Sequence, residues 1–279
     1  MTYKSLLVHI DDDERSSRRV EVAGRIARDF GARLVGVYLV PTTAMSPTVS
    51  ALLPESIVSQ RLQASGETQQ LAQERFLEAT AAAGLTAVEW RAPAGEPRRA
   101  IVAHARGADL AIIGQPNARD DDAAFANDIA NAVVLQSGRP VMAIPYIGVK
   151  GPVGETVLVA LDHSRESARA VADALPLLAR ARKVIVLAIR TTAAESLDDT
   201  QTRAHVVAFL EGHGIDADVQ QIDRPNITIG EMLLSRTADN GASLIVMGAY
   251  GHARLQEAVL GGVTRTMLDA MTVPVLMSH

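Results

Sequence analysis

The 279-residue chain has no cysteine, which excludes disulfides, a thiol nucleophile and any cysteine-based metal centre. Aromatic residues make up only 3%, too few for the stacking platforms that hold single-stranded nucleic acid. Positive charge is not in excess: the formal net charge is −5, so there is no electrostatic footprint for DNA or RNA. No apolar run approaches the ~20 residues that a membrane-spanning helix needs. The opening "MTYKSLLVHIDDDE" turns acidic after one short apolar run, unlike a secretory leader. Apolar residues at 48% and charged residues at 21% are ordinary for a globular protein. A cytoplasmic location, with no nucleic-acid and no membrane partner, is the expectation. Catalytic signatures are missing as well: there is no G-x-x-x-x-G-K-[ST], no G-x-S-x-G and no H-E-x-x-H. "DHSRES" at 162–167 sets Asp, His and Ser side by side, and adjacent residues on one turn cannot build a triad. No fast catalysis and no metal centre are expected.

What is present is a repeat. "SLLVHID" ending at Asp11 returns as "TVLVALD" ending at Asp162, an offset of 151 residues. "GADLAIIG" ending at Gly114 returns as "GASLIVMG" ending at Gly248, an offset of 134, and "GRPVMAI" returns as "TVPVLMS" at the same offset. The first copy therefore carries extra residues before Gly107, placed in the polar, Ser- and Pro-containing excursion 42–67. The joint falls in "YIGVKGPVG", residues 146–154, whose Gly and Pro suit a linker. The organisation read from this is two domains, 1–146 and 155–279.

Within each copy, short Val/Ile/Leu runs alternate with longer stretches of helical spacing. In the second these runs are "VLVAL", "VIVLAI", "DVQQI", "LIVMG" and "VPVLM". Runs that are apolar throughout suit strands buried on both faces of a parallel sheet. Strand and helix in alternation give an α/β fold, here two tandem doubly wound five-stranded sheets. Pro176 is expected to kink or shorten the helix it falls in. The terminal runs "PVMAI" and "VPVLM" would leave exposed edge strands, which a protein must cover or pair.

The stretch "VMGAYGHARLQEAVLGGVT", residues 246–264, carries Gly248, Gly251 and Gly261 after one of these strands. Gly248 and Asp162 both close strands at the edge where open parallel sheets bind ligands. Glycines there let a backbone approach a phosphate, and helix N-termini favour anions. On spacing alone the stretch is either a phosphate cradle or a turn before a packed helix. His252 is the one histidine placed beside the cradle.

In company with Asp162 the pattern resembles the universal stress protein family, whose ATP-binding members carry G-x2-G-x9-G-[S/T] at this place. Gly248, Gly251 and Gly261 fit, Gly262 stands where the family has Ser or Thr, and Val263 and Thr264 match a common continuation. The resemblance spans both copies. It implies an adenine nucleotide, ATP or AMP, with or without Mg2+, bound through Ala160, Asp162, Ile189, Met247, Gly248, Gly251, His252, Gly261, Gly262, Val263 and Thr264. Asp162 would contact adenine, and Ala160, Ile189 and Met247 would line its pocket. It also implies adenine-fold architecture with last strands paired, here internally as a pseudo-dimer, and a regulatory or structural role in the stress response. A further homodimer, slow ATP hydrolysis, or a nucleotide-free interaction protein with unknown protein partners are the alternatives it leaves.

The first copy departs from the pattern. Gly251, Gly261 and Gly262 fall on Asn117, Asn127 and Asp128, and residues 114–132 set Arg119 against Asp120, Asp121, Asp122 and Asp128. Together with "DDDER" at 11–15, this much negative charge would repel phosphates. The carboxylates read as solvated helix caps or, as a sharper alternative, as the holders of a divalent cation.

Overall fold

The computed structural model describes residues 2–40, 54–162, 164–190, 197–223, 227–251 and 262–279. In the first half, β1 (Ser5–Ile10), β2 (Arg33–Tyr38), β3 (Val88–Arg91), β4 (Leu110–Gly114) and β5 (Val141–Ile144) alternate with α1 (Arg15–Phe30), α2 (Glu55–Ala82), α3 (Pro97–Ala105) and α4 (Ala123–Gln136). The second half repeats this with β6 (Thr156–Leu161), β7 (Lys183–Arg190), β8 (Ala217–Asp223), β9 (Leu244–Gly248) and β10 (Val275–Ser278), and with α5 (Arg165–Leu178), α6 (Leu197–Gly212), α7 (Ile229–Asp239) and α8 (Gly262–Ala270).

The expected pair of sheets is joined into one ten-stranded sheet, ordered β3-β2-β1-β4-β5-β10-β9-β6-β7-β8. Every neighbouring pair is parallel except β5 and β10, which run antiparallel with Val275 opposite Ala143 and Met277 opposite Val141. The two edge strands thus satisfy each other's backbone groups, as an internal pseudo-dimer requires.

Side chains alternate along each strand and so feed two cores. Leu6, Val8 and Ile10 join one with Val159, Phe76 and Val171, while Leu7 joins the other with Leu158, Ile129, Val133 and Met267. Each core contains residues of both halves. Further contacts tie the halves together: the Tyr3 hydroxyl donates to the Asp173 carbonyl at 2.8 Å, and Gln115 Nε2 donates to the Leu268 carbonyl at 2.8 Å.

Local chemistry sets the helix ends nearest the strand ends. Ser164 caps α5, accepting from the Ser167 N–H at 3.0 Å, and Thr228 caps α7 in a reciprocal box with Glu231. α5 passes through Pro176 and stops two residues later, at Leu178, so the proline costs the helix one N–H to the carbonyl four residues back close to its end and does not interrupt its middle. Of the excursion 42–67, residues 55–67 belong to α2, which runs for 28 residues against 16 in its counterpart α6. Residues 42–53 lie outside the described residues.

Candidate functional site

Strand order reverses at β6, which pairs with β7 on one side and β9 on the other. A cleft with about 140 Å3 of free space opens at the carboxyl ends of these strands, against about 50 Å3 at the matching place in the first half; here open α/β sheets leave room for ligands. Asp162 follows β6 directly. Its Oδ1 accepts from both the Ser164 N–H (3.1 Å) and the Ser164 hydroxyl (2.6 Å), which fixes the carboxylate at the mouth of α5.

The glycines have distinct tasks. A Cβ on Gly248 would stand 2.5 Å from the Ser167 nitrogen, so only glycine lets β9 approach the first turn of α5 this closely. A Cβ on Gly251 would meet Ser164 Oγ at 3.1 Å and Glu166 Oε2 at 3.2 Å, and so would fill a narrow cradle beside the helix mouth. Glu166 is buried there. Burial pushes its carboxyl up, but the Arg165 hydrogen bond and charge, aided by His279, hold it below the ordinary value.

The cleft brings together eight of the expected residues: Ala160, Asp162, Met247, Gly248, Gly251, Gly262, Val263 and Thr264. Ile189 lies in β7 opposite Ile222, one residue past the last register position of β6 (Leu161 opposite Ala188). His252 and Gly261 lie outside the described residues. Leu187, Ile229, Leu233 and Tyr250 line the cleft without having been expected. The period of two along β7 could have flagged Leu187, two residues before Ile189. Tyr250 carries no such signal: its place in the wall comes from a backbone φ of 65°, a conformation that bulky residues rarely adopt.

The same strand ends in the first half are filled by the protein itself. His9 stands at the position of Ala160 and Arg19 at that of Ala170, at the offset of 151. Arg19 is buried, with Nη2 2.9 Å from Asp11 Oδ2 and Nε donating to the His9 carbonyl at 2.7 Å. Gly114, the counterpart of Gly248, faces this guanidinium: a Cβ there would fall 2.1 Å from Arg19 Nη1. Burial pushes the Asp11 carboxyl up, yet the Arg19 charge and hydrogen bond bring it below its ordinary range. Burial drives His9 down to about 4, with Asp11 opposing and Arg19 adding to the shift.

The remaining carboxylates divide: Asp121 and Asp122 are exposed at the start of α4, while Asp13 and Asp120 are paired. Arg15 joins Asp13 to Asp120 across the cleft, so an arginine bridges the two acidic loops where a divalent cation was the alternative. Asp13 also accepts the Arg15 N–H at 2.8 Å, and Asp122 stands at the start of α4 without a side-chain cap bond. Burial, then Asp11, Asp120 and Asp13, push Asp122 up. Among the described residues no three His, Asp or Glu side chains form a group suited to a metal ion.

Comparison with known proteins agrees with this architecture. The profile of the universal stress protein family matches residues 2–145 and again 155–279. A universal stress protein from Archaeoglobus fulgidus DSM 4304 superposes with a TM-score of 0.76 at 18% identity, covering 98% of this chain and 97% of its own. A candidate universal stress protein from Pseudomonas aeruginosa UCBPP-PA14 gives 0.58 at 15% identity, covering 99% and 93%. A universal stress protein solved in complex with cAMP covers 50% of this chain and 95% of its own, at 24% identity and a TM-score of 0.35. No curated relative matches the chain. No helix among the described residues is long and apolar enough to cross a membrane. With the family profile matched twice over nearly its whole length, the chain belongs to the universal stress protein family, as a tandem member.

Proposed function

We propose that the protein binds one adenine nucleotide, ATP or AMP, in its second half and holds it as a regulatory or structural ligand. The observation that carries this reading is the contrast between two equivalent clefts: His9 and the Arg19 guanidinium stand in the first, while the second has Ala160 at the place of His9 and no cation in its described lining. In this reading 1–146 and 155–279 are two domains, and only the second takes ligand.

The cleft suits the chemistry of the group. Ala160, Leu187 and Met247 offer an apolar floor to a flat base, and Asp162 an acceptor to its amino group. The small Gly248 and Gly251 let backbone come close to phosphates, while the start of α8 at Gly262–Thr264 presents N–H groups and a positive helix end. Mg2+ would accompany ATP through the phosphates, the described residues supplying no dedicated metal cage. Among the described lining residues no nucleophile is paired with a base, and the reading is therefore of a retained ligand and not of a rapidly turned-over substrate.

The test is an equilibrium titration of nucleotide-stripped protein with Mg2+-ATP and then with AMP. Saturation near one per chain, abolished by Gly251→Val, is expected. Absence of binding at millimolar nucleotide would sink the reading in favour of a nucleotide-free interaction protein.

A further inference from the structure

The cleft of the second half does not hold its wall alone. Tyr250, between Gly248 and Gly251, is the one non-glycine residue with positive φ among the described residues. A bulky side chain in this region is strained and persists only where its surroundings impose it. Three surroundings do so. The Tyr250 N–H donates to Thr264 Oγ1 at 3.4 Å, and the ring meets His279 edge-on at 6.1 Å between centroids. His279 Nδ1 is in turn 3.0 Å from the Ala249 carbonyl.

The third comes from the other half of the chain. The Tyr250 hydroxyl donates to Asn131 Oδ1 at 2.6 Å, and Asn131 lies on α4, 119 residues earlier. The phenol is buried enough to raise its pKa to about 12, so it stays a protonated donor across the whole working range of pH. The first half is tied differently: Pro116 takes the place of Tyr250 and Arg265 that of Asn131, at the offset of 134, the groove between them is open, and the bond across to the other half comes instead from Gln115, which donates to the Leu268 carbonyl at 2.8 Å. α4 itself also lines the filled first cleft, through Ala126, Ile129 and Ala130.

We infer that Asn131 is a positioning residue for the ligand site of the opposite half: by holding the Tyr250 hydroxyl, it keeps the Gly248–Gly251 turn in its strained, ligand-ready form. The degenerate half then serves as a brace for the active one, through one hydrogen bond across the β5–β10 joint. This rests on the nucleotide reading above. Loss of the bond frees the turn to relax, and the ligand must reorder it on binding.

The experiment titrates Mg2+-ATP into the full-length wild-type protein and into Asn131→Ala, Tyr250→Phe, the double variant and Asn131→Asp. Each single variant is expected to bind about fivefold more weakly, in line with one lost hydrogen bond at a partly buried site. The double variant should bind no worse than the weaker single one, because both remove the same bond. Asn131→Asp keeps an acceptor at this place and should stay within about twofold of wild type. A wild-type protein that binds while Asn131→Ala binds equally well overturns the inference and leaves the nucleotide reading intact. Additive losses in the double variant, or an Asn131→Asp as weak as Asn131→Ala, overturn it as well. A wild-type protein that takes no nucleotide overturns both.

Discussion

Near the end of β1 the chain places an imidazole, and at the same point of β6 a methyl group; just over one turn into the following helix it places a guanidinium in one half and again a methyl in the other. Strand register, the glycine closing the fourth strand and the aspartate closing the first are shared by both halves. The clefts differ because four side chains differ: His9 for Ala160, Arg15 for Glu166, Arg19 for Ala170, and Asn117 for Gly251. In the first half the carboxylate at the strand end is satisfied by the protein's own arginine. In the second, Asp162 is oriented by a serine at the rim and the space in front of it is kept by alanine and glycine. A binding cleft in this fold is made by withholding side chains as much as by placing them.

The largest effect should come from taking away the plug. Arg19→Ala leaves Asp11 with a buried charge and no guanidinium, and removing one member of a buried pair costs about 3–5 kcal/mol. Urea unfolding followed by the signal of Trp90, which stacks on Tyr38 in the first half, reads this directly. A loss below about 1 kcal/mol would mean that Arg19 fills space without stabilising the half it occupies. Removing the methyl's privilege on the other side should show in binding. Gly251→Val pushes side-chain atoms against Ser164 and Glu166 and should weaken nucleotide binding at least ~30-fold, about 2 kcal/mol. The matched change in the first half, Asn117→Val, should leave that affinity within twofold. Equal effects would erase the distinction between the clefts.

The His9 plug carries a pH signature. Its folded pKa, about 4, lies below the ordinary value of 6.5. Between these values the unfolded chain binds the proton and the native one does not, so stability rises with pH through this window and is complete above ~6.5. Acidification from about 6.5 to 4 should therefore remove on the order of 3 kcal/mol from the first half. His9→Gln, which does not titrate, should flatten this slope while leaving the lower one set by Asp11, whose depressed pKa contributes stability above its unfolded value and loses it below. Unfolding free energies measured at several pH values decide it. The second half, with Ala160 at that position, should show no such slope.

Much of this contrast was legible in residues. The five runs of the second copy became β6 to β10; four are apolar throughout because their strands are buried on both faces, whereas "DVQQI" became β8 at the sheet edge, where Val219 is exposed. Gly248, Gly251 and Asp162 converged because strand ends are shared geometry. The acidic loops were visible as charge, but their neutralisation was not: Arg15 and Arg19 approach them only after α1 has turned them inward. Nor did the polar excursion reveal that residues 55–67 lengthen a helix, since α2 is so exposed there that no apolar stripe marks it. Tyr250 was hidden for a different reason. Its role depends on Asn131, which is distant in sequence and close only because β5 and β10 pair.

The smallest change sharpens the comparison at Gly262. This residue begins α8, is exposed, and has no described residue within 4 Å of an added Cβ, so a side chain displaces none of them. Gly262→Ser would supply a hydroxyl at the helix N-terminus, where serine is among the preferred residues and where an anion gains a donor. One added hydrogen bond at an exposed position is worth about 1 kcal/mol, so ATP should bind roughly fivefold more tightly. The aligned residue of the first half, Asp128, is 3.3 Å from Arg98. Asp128→Ser would break that pair without creating a site, because His9 and Arg19 still occupy the cleft behind it. Isothermal titration of both variants separates the two cases. If Gly262→Ser bound no more tightly than wild type, the helix start would lie away from the phosphates, and Gly248 and Gly251 alone would have to hold them.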